Sequence, residues 1–119
     1  MGAAPRGKAV MTWDDVMAVA MALPGSERSM SYGREAIKVR GKMIIVSGRT
    51  DDHFVLTATL DEIEVLMTTD SGCFFQTPHY AGWPGVLVRL GTADRERIAV
   101  LVERAWARRA SMSQLKARG

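Results

Sequence analysis

At 119 residues, 47% of them hydrophobic, the chain has the size and apolar content of one globular domain that buries its own core. A single cysteine, Cys73, excludes an internal disulfide and a cysteine-rich zinc site and fits a reducing, cytoplasmic compartment; no apolar run reaches the roughly 18 residues of a membrane span. The net charge of +3 is unevenly spread, because residues 94–119 carry seven basic against three acidic side chains while residues 11–93 carry seven basic against ten acidic. An acidic body with a basic C-terminal segment attracts phosphate only modestly.

Residues 1–10 (MGAAPRGKAV) lack hydrophobic periodicity and an apolar signal core, and are expected to be a disordered extension ahead of a start at Met11. Thr12 sits where an N-cap belongs, with Asp14 and Asp15 at the positive end of a helix whose apolar stripe is Trp13, Val16, Met17, Ala20 and Leu23. Pro24 and Gly25 end it, and the polar residues 26–33 read as a connecting loop. Residues 35–40 set Ile37 and Val39 against Lys38 and Arg40, the period of a half-buried strand. Gly41 and Lys42 suit a two-residue type II′ turn into a second strand at 43–47, and a third follows at 53–58 after a turn at 48–52.

Thr59 or Asp61 caps a second helix over 60–69, with a narrower stripe of Ile63, Leu66 and Met67. A fourth strand is expected at 73–77 and a fifth at 86–90. Asp94 then starts a last helix whose Ile98, Leu101, Val102, Ala105 and Trp106 face inward to about residue 109. Arg109 would point toward that stripe in an ideal helix, so either the helix ends there or the side chain snorkels. Residues 11–110 form the domain, and residues 111–119 are expected to fray as a basic tail. The predicted fold is an α+β two-layer sandwich: a five-stranded antiparallel sheet with helices packed on one face, in the order α-β-β-β-α-β-β-α.

The densest turn chemistry lies at residues 77–90, TPHYAGWPGVLVRL. Pro78 and Pro84 fix φ while Gly82 and Gly85 admit positive φ, so the loop is held in one shape beside a buried strand. This stretch, together with Met30-Ser31-Tyr32-Gly33 and the segment from Ile37 to Lys42 (IKVRGK), resembles the MmcQ/YjbR-like family in the right order over residues 12–109. The resemblance implies the secretion-chaperone-like architecture in the element order above, with a double-wing DNA-binding character. Gly85 departs from it, since members often carry a large aromatic there.

Two groups of residues are candidates for binding. Lys38, Arg40 and Lys42 form a small basic wing along one strand and its turn, and Arg97, Arg104 and Arg108 fall within a narrow arc of the last helix, so both can contact phosphates or simply be solvated. In the aromatic loop, Thr77 is a candidate ligand residue, His79 can bind an anion or pin the turn to the backbone, and Tyr80 and Trp83 can stack on a base or plug the end of the sheet; Tyr32, in the loop at 26–33, carries the same two readings. Cys73, ahead of two phenylalanines, reads as buried and inert. Asp51, Asp52 and His53 can be drawn as a metal site but lie at a hairpin turn where acidic residues are ordinary.

No catalytic or nucleotide-cofactor motif occurs, so neither an enzymatic activity nor a cofactor is expected. The expected function is a small binding module that takes nucleic acid weakly through the wing, the arginine face and the aromatic loop. The alternative is a protein-interaction module, chaperone-like or self-associating, with no nucleic-acid activity and no membrane contact.

Overall fold

The computed structural model describes residues 11–119, so the expectation for residues 1–10 lies outside the described residues. Helix α1 (Trp13–Met21) starts with a reciprocal capping box: the Thr12 hydroxyl accepts from the Asp15 amide at 3.2 Å, and the Asp15 carboxylate accepts from the Thr12 amide at 2.9 Å. That backbone hydrogen bond, helped by Arg95 at 3.1 Å, holds the Asp15 carboxyl below its ordinary range. The chain then runs through β1 (Ser26–Ser31), β2 (Arg34–Val39), β3 (Lys42–Ser47), β4 (His53–Thr57), α2 (Leu60–Thr69), β5 (Phe74–Phe75), β6 (Gly85–Arg89), α3 (Arg95–Ala107) and α4 (Met112–Arg118).

The sheet is antiparallel throughout, but it has six strands rather than five, in the order β1-β2-β3-β4-β6-β5. The added strand is β1, expected to be a loop because SERSMS has no apolar alternation. Its pairing comes from its neighbour: it registers on β2 from Ser26 opposite Val39 to Ser31 opposite Arg34. Two central residues with positive φ, Tyr32 at 51° and Gly33 at 79°, close this hairpin, and Arg40 at 53° with Gly41 at 79° close the next. Positive φ at both central positions is the type I′ signature, so the second turn is centred on Arg40-Gly41, one residue earlier than the expected II′ turn at Gly41-Lys42. Among the described residues, Tyr32 and Arg40 are the non-glycine positions in that region. Each conformation costs about 1 kcal/mol or more for an L side chain.

The two faces of the sheet are covered differently. One face packs Ile37, Val39, Phe54, Leu56, Val86 and Val88 against Val16, Met17 and Ala20 of α1, Ile63 and Leu66 of α2, and Ile98, Val102 and Trp106 of α3. A bulge in β3 adds to this core, since the register shifts after Ile37 and both Ile44 and Ile45 turn toward the helices. The opposite face carries Ala36, Val46, Val55 and Leu87, paired directly across four strands and continued by Phe75. Among the described residues no helix packs on this second row; Tyr80 from the loop before β6 does.

Helix α3 ends at Ala107 with Arg108 as its C-cap, which releases Arg109 from the core stripe. Residues 111–119, expected to fray, instead hold α4, started by a capping box between Ser111 and Gln114. Arg118 ties α4 back to Glu103 through two hydrogen bonds of 3.1 Å, and the Gln114 side chain fills the space that a β-carbon at Gly25 would need. Cys73 is buried, and that burial raises its thiol pKa. No helix among the described residues is long and apolar enough to cross a membrane.

Trp106 is fully buried, and its Nε1 donates to the Pro24 carbonyl at 2.7 Å, fastening α3 to the end of α1. Replacing Trp106 with Phe leaves that carbonyl without its donor while keeping an aromatic in the core. Urea denaturation should show a loss of about 1–3 kcal/mol; an unchanged midpoint would mean that the hydrogen bond does not hold the two helices together.

Candidate functional site

The three arginines expected to form a phosphate ridge on the last helix face α2 instead. Arg97 lies 3.3 Å from Asp70, Arg104 lies 3.0 Å from Glu62, and Arg108 lies 3.5 Å from Glu62 while donating to the Thr57 carbonyl at 3.0 Å. Arg97 also sits over the Phe74 ring, 5.3 Å from its centroid. The start of α2 meets the end of α3 and its end meets the start of α3, so these pairs clamp two antiparallel helices. The predicted arc is present, but carboxylates occupy it. Lys38 stands on the opposite, helix-free face, paired in register with Met43, whereas Arg40 and Lys42 project from the turn at the far end of β2. The six basic candidates therefore do not form one surface.

The aromatic-loop candidates do converge. Pro78–Tyr80 form a single 3₁₀ turn that lays the loop across the helix-free face. Two adjoining cavities result, of about 380 and 370 Å³, sharing Arg34, His79 and Tyr80. Thr77 lines the first; Tyr32 and Trp83 line the second. The rings form a chain, with His79 edge-on to Tyr80 at 5.0 Å between centroids and Tyr80 edge-on to Trp83 at 5.4 Å. Tyr32, at its left-handed turn position, is 100% exposed, and Trp83 is 39% exposed.

The loop is pinned by a residue that the sequence reading did not single out. Gln76 Nε2 donates to the carbonyls of Tyr80 at 3.1 Å, Trp83 at 3.3 Å and Gly85 at 2.7 Å, which accounts for the shape more directly than His79 does. Gly85 has a steric role here: a β-carbon would run into the Trp83 ring, so the indole occupies the place that a larger residue at 85 would claim.

Three further side chains build the site. Arg34 opens β2, Arg49 follows β3 and His53 opens β4, all at one end of the sheet, and all line the first cavity. Among the described residues neither Arg34 nor Arg49 makes an ion pair. His53 Nδ1 donates to Asp52 at 2.9 Å, and hydrogen bonds from Thr50 and then His53 hold the Asp52 carboxyl below its ordinary range. Asp52 and His53, drawn from sequence as part of a metal site, are thus bonded to each other and to Thr50. Behind them Arg89 lies over the Phe75 ring, 4.0 Å from its centroid. Among the described residues no acidic side chain lines either cavity. In a body with more acidic than basic residues, this face is a cationic, aromatic trough with an apolar floor of Val46, Val55 and Leu87.

Comparison with known proteins agrees with the architecture. The sequence matches the YjbR family model over residues 21–108, and the chain belongs to that family. Uncharacterized proteins of Mycobacterium tuberculosis and Mycobacterium bovis are 28% identical, over 80% of this chain and 85% of theirs. A crystal structure of a Deinococcus radiodurans protein with a DUF419 domain superposes with a TM-score of 0.70 at 22% identity, covering 82% of this chain and 77% of that one, which is a likeness of fold.

The role of Gln76 is open to direct measurement. Gln76→Ala removes the donor to three loop carbonyls, and the segment 78–85 should lose about 1–3 kcal/mol of local stability. Hydrogen–deuterium exchange of the Tyr80, Trp83 and Gly85 amides should accelerate while exchange in β3 and β4 stays as it was; unchanged loop protection would assign the loop's shape to its prolines instead.

Proposed function

We propose that this member of the YjbR family is a non-catalytic binding module whose site is the trough on the helix-free face, and that its ligand is an unpaired stretch of nucleic acid. The observation that carries the reading is the contrast between two sets of arginines. Those of α3 are neutralised by Asp70 and Glu62, whereas Arg34 and Arg49 stand without carboxylates beside an apolar floor and exposed rings. Phosphates would lie against these two guanidiniums, and bases would stack on Tyr32, Tyr80 or Trp83, each stacked base contributing about 1–3 kcal/mol without regard to sequence. Each cavity is within the size range of sites for small ligands and single nucleotides. A concave trough suits splayed bases better than the regular groove of a duplex. The binding is non-catalytic in this reading because the trough is lined by arginines, histidines, aromatics and Thr77, and the carboxylate that His53 bonds, Asp52, is not among the lining residues.

The protein-interaction alternative has less behind it. Among the described residues the sheet has two edges, β1 and the two-residue β5; Glu27 and Arg28 are exposed on β1, where charge discourages strand addition, and β5 offers too short a template for it.

Fluorescence anisotropy of a labelled single-stranded oligonucleotide tests the proposal. Binding should weaken with salt, and Arg34→Ala/Arg49→Ala should lower affinity at least about tenfold and flatten the salt slope by roughly 0.7 per lost phosphate contact. Arg97→Ala/Arg104→Ala should leave binding unchanged and instead lower stability slightly, since exposed ion pairs contribute about 0–1 kcal/mol each. Equal loss in both variants, or no binding to single strands at about 50 mM salt, would overturn the reading.

A further inference from the structure

At the far end of β2 from the trough, Arg40, Lys42, Arg108 and Arg109 line one small cleft of about 190 Å³. Two of the four come from the type I′ turn and the first residue of β3, and two from the C-terminal end of α3, so side chains distant in sequence converge there. Arg108 is held in place by Glu62 and by the Thr57 carbonyl, and Glu62 is shared with Arg104. Among the described residues Arg40, Lys42 and Arg109 pair with no carboxylate. Three unpaired cations gathered beside the Glu62-bound Arg108 repel one another, and a bound anion relieves that repulsion.

The backbone supplies an independent observation. Arg40 has φ of 53°, a conformation that type I′ turns ordinarily assign to Asn, Asp or Gly. An arginine there is unfavourable for the turn and places a guanidinium at the mouth of the cleft. Its counterpart at the other hairpin, Tyr32 at φ 51°, likewise lines a cavity. At both turns the strained position carries the side chain that faces a cavity, as expected where local strain accompanies a site.

We propose that this cleft binds a compact phosphate-bearing anion of about diphosphate size. The lining residues supply the free guanidiniums of Arg109, just past the end of α3, and of Arg40 at the turn, together with the Lys42 ammonium, beside an Arg108 already held by Glu62 and Thr57, and these suit several phosphate oxygens at once. Among the described residues no aromatic or apolar side chain lines the cleft, so none of them recognises a base or an acyl chain there. Arg34 and Arg40 are six residues apart along β2, about 20 Å in an extended strand, so this site is separate from the trough and does not depend on the function proposed for it.

Amide chemical-shift titration of the full chain with sodium pyrophosphate, at constant ionic strength and with sodium sulfate as the control anion, tests the assignment. Saturable shifts at residues 40–42 and 108–110 are expected. Arg40→Asn, which keeps a residue suited to the turn, should weaken binding about tenfold, as should Arg109→Ala, while Arg49→Ala in the trough should not change it. An unchanged or higher denaturation midpoint for Arg40→Asn would show that the loss is one of charge, not of fold. A nucleoside diphosphate binding no tighter than pyrophosphate identifies a free diphosphate group as sufficient, and tighter binding identifies a larger molecule carrying one. Absence of saturable shifts, equal binding of sulfate, or an Arg40→Asn variant that binds like the parent would each overturn the proposal.

Discussion

A sheet that is apolar on both faces but has helices on only one must cover its second face by other means. Here helices cover one side, while among the described residues the row from Ala36 through Val46, Val55 and Leu87 to Phe75 has the loop before β6 lying against it. That loop is short, so it shields part of the row and leaves a trough on either side of His79 and Tyr80. The trough follows from this incomplete cover. Its polar side chains enter from the strand ends, where a β-strand gives way to a turn and a long side chain can reach over the face.

The outline of the fold was legible because periodicity, capping residues and turn residues agreed over most of the chain. The capped starts at Thr12 and Asp94 are where the sequence puts them, and of the two caps open for the second helix, Thr59 and Asp61, Thr59 is the one used. What was not legible depends on partners elsewhere in the chain. Strand β1 has almost no apolar pattern and exists because β2 offers it a full register through a tight turn. The spacing of Arg97, Arg104 and Arg108 correctly placed them on one face of a helix, but spacing does not say what that face meets. A signal was available: Glu62 and Asp70 are eight residues apart on a second helix, close to the span of the arginine row, and matched rows of opposite charge suggest two helices side by side.

The aromatic loop shows the opposite balance. Its candidates Thr77, His79, Tyr80 and Trp83, and Tyr32 from the earlier turn, were apparent from residue type, and they do meet at one site. Its pin was missed because a glutamine carries no local pattern; only folding brings three carbonyls within reach of one amide nitrogen. Arg34, Arg49 and His53 were overlooked for a similar reason. Separated in sequence, they become neighbours once two hairpins place their strand ends at the same end of the sheet.

Charge distribution makes the final link from fold to function. Net charge predicts little here, because the acidic residues are not spread evenly over the surface. Asp15, Glu62, Asp70 and Glu103 pair with arginines of the helical layer, and Asp52 pairs with His53. Each arginine–carboxylate pair removes a positive and a negative charge from what an approaching ligand senses. Of the basic side chains of the described residues that are in no ion pair, Arg28, Lys38, Arg89 and Lys116 line neither the trough nor the cleft, whereas Arg34 and Arg49 gather in the trough on the helix-free face and Arg40, Lys42 and Arg109 in the cleft at the far turn. Their fields act in concave, partly apolar surroundings, where water screens less than on an open surface. A chain of modest overall charge can therefore present two well-separated cationic recesses. One is lined with rings and the other without them, and that difference in lining is what would let a single small domain distinguish a base-bearing ligand from a bare phosphate anion.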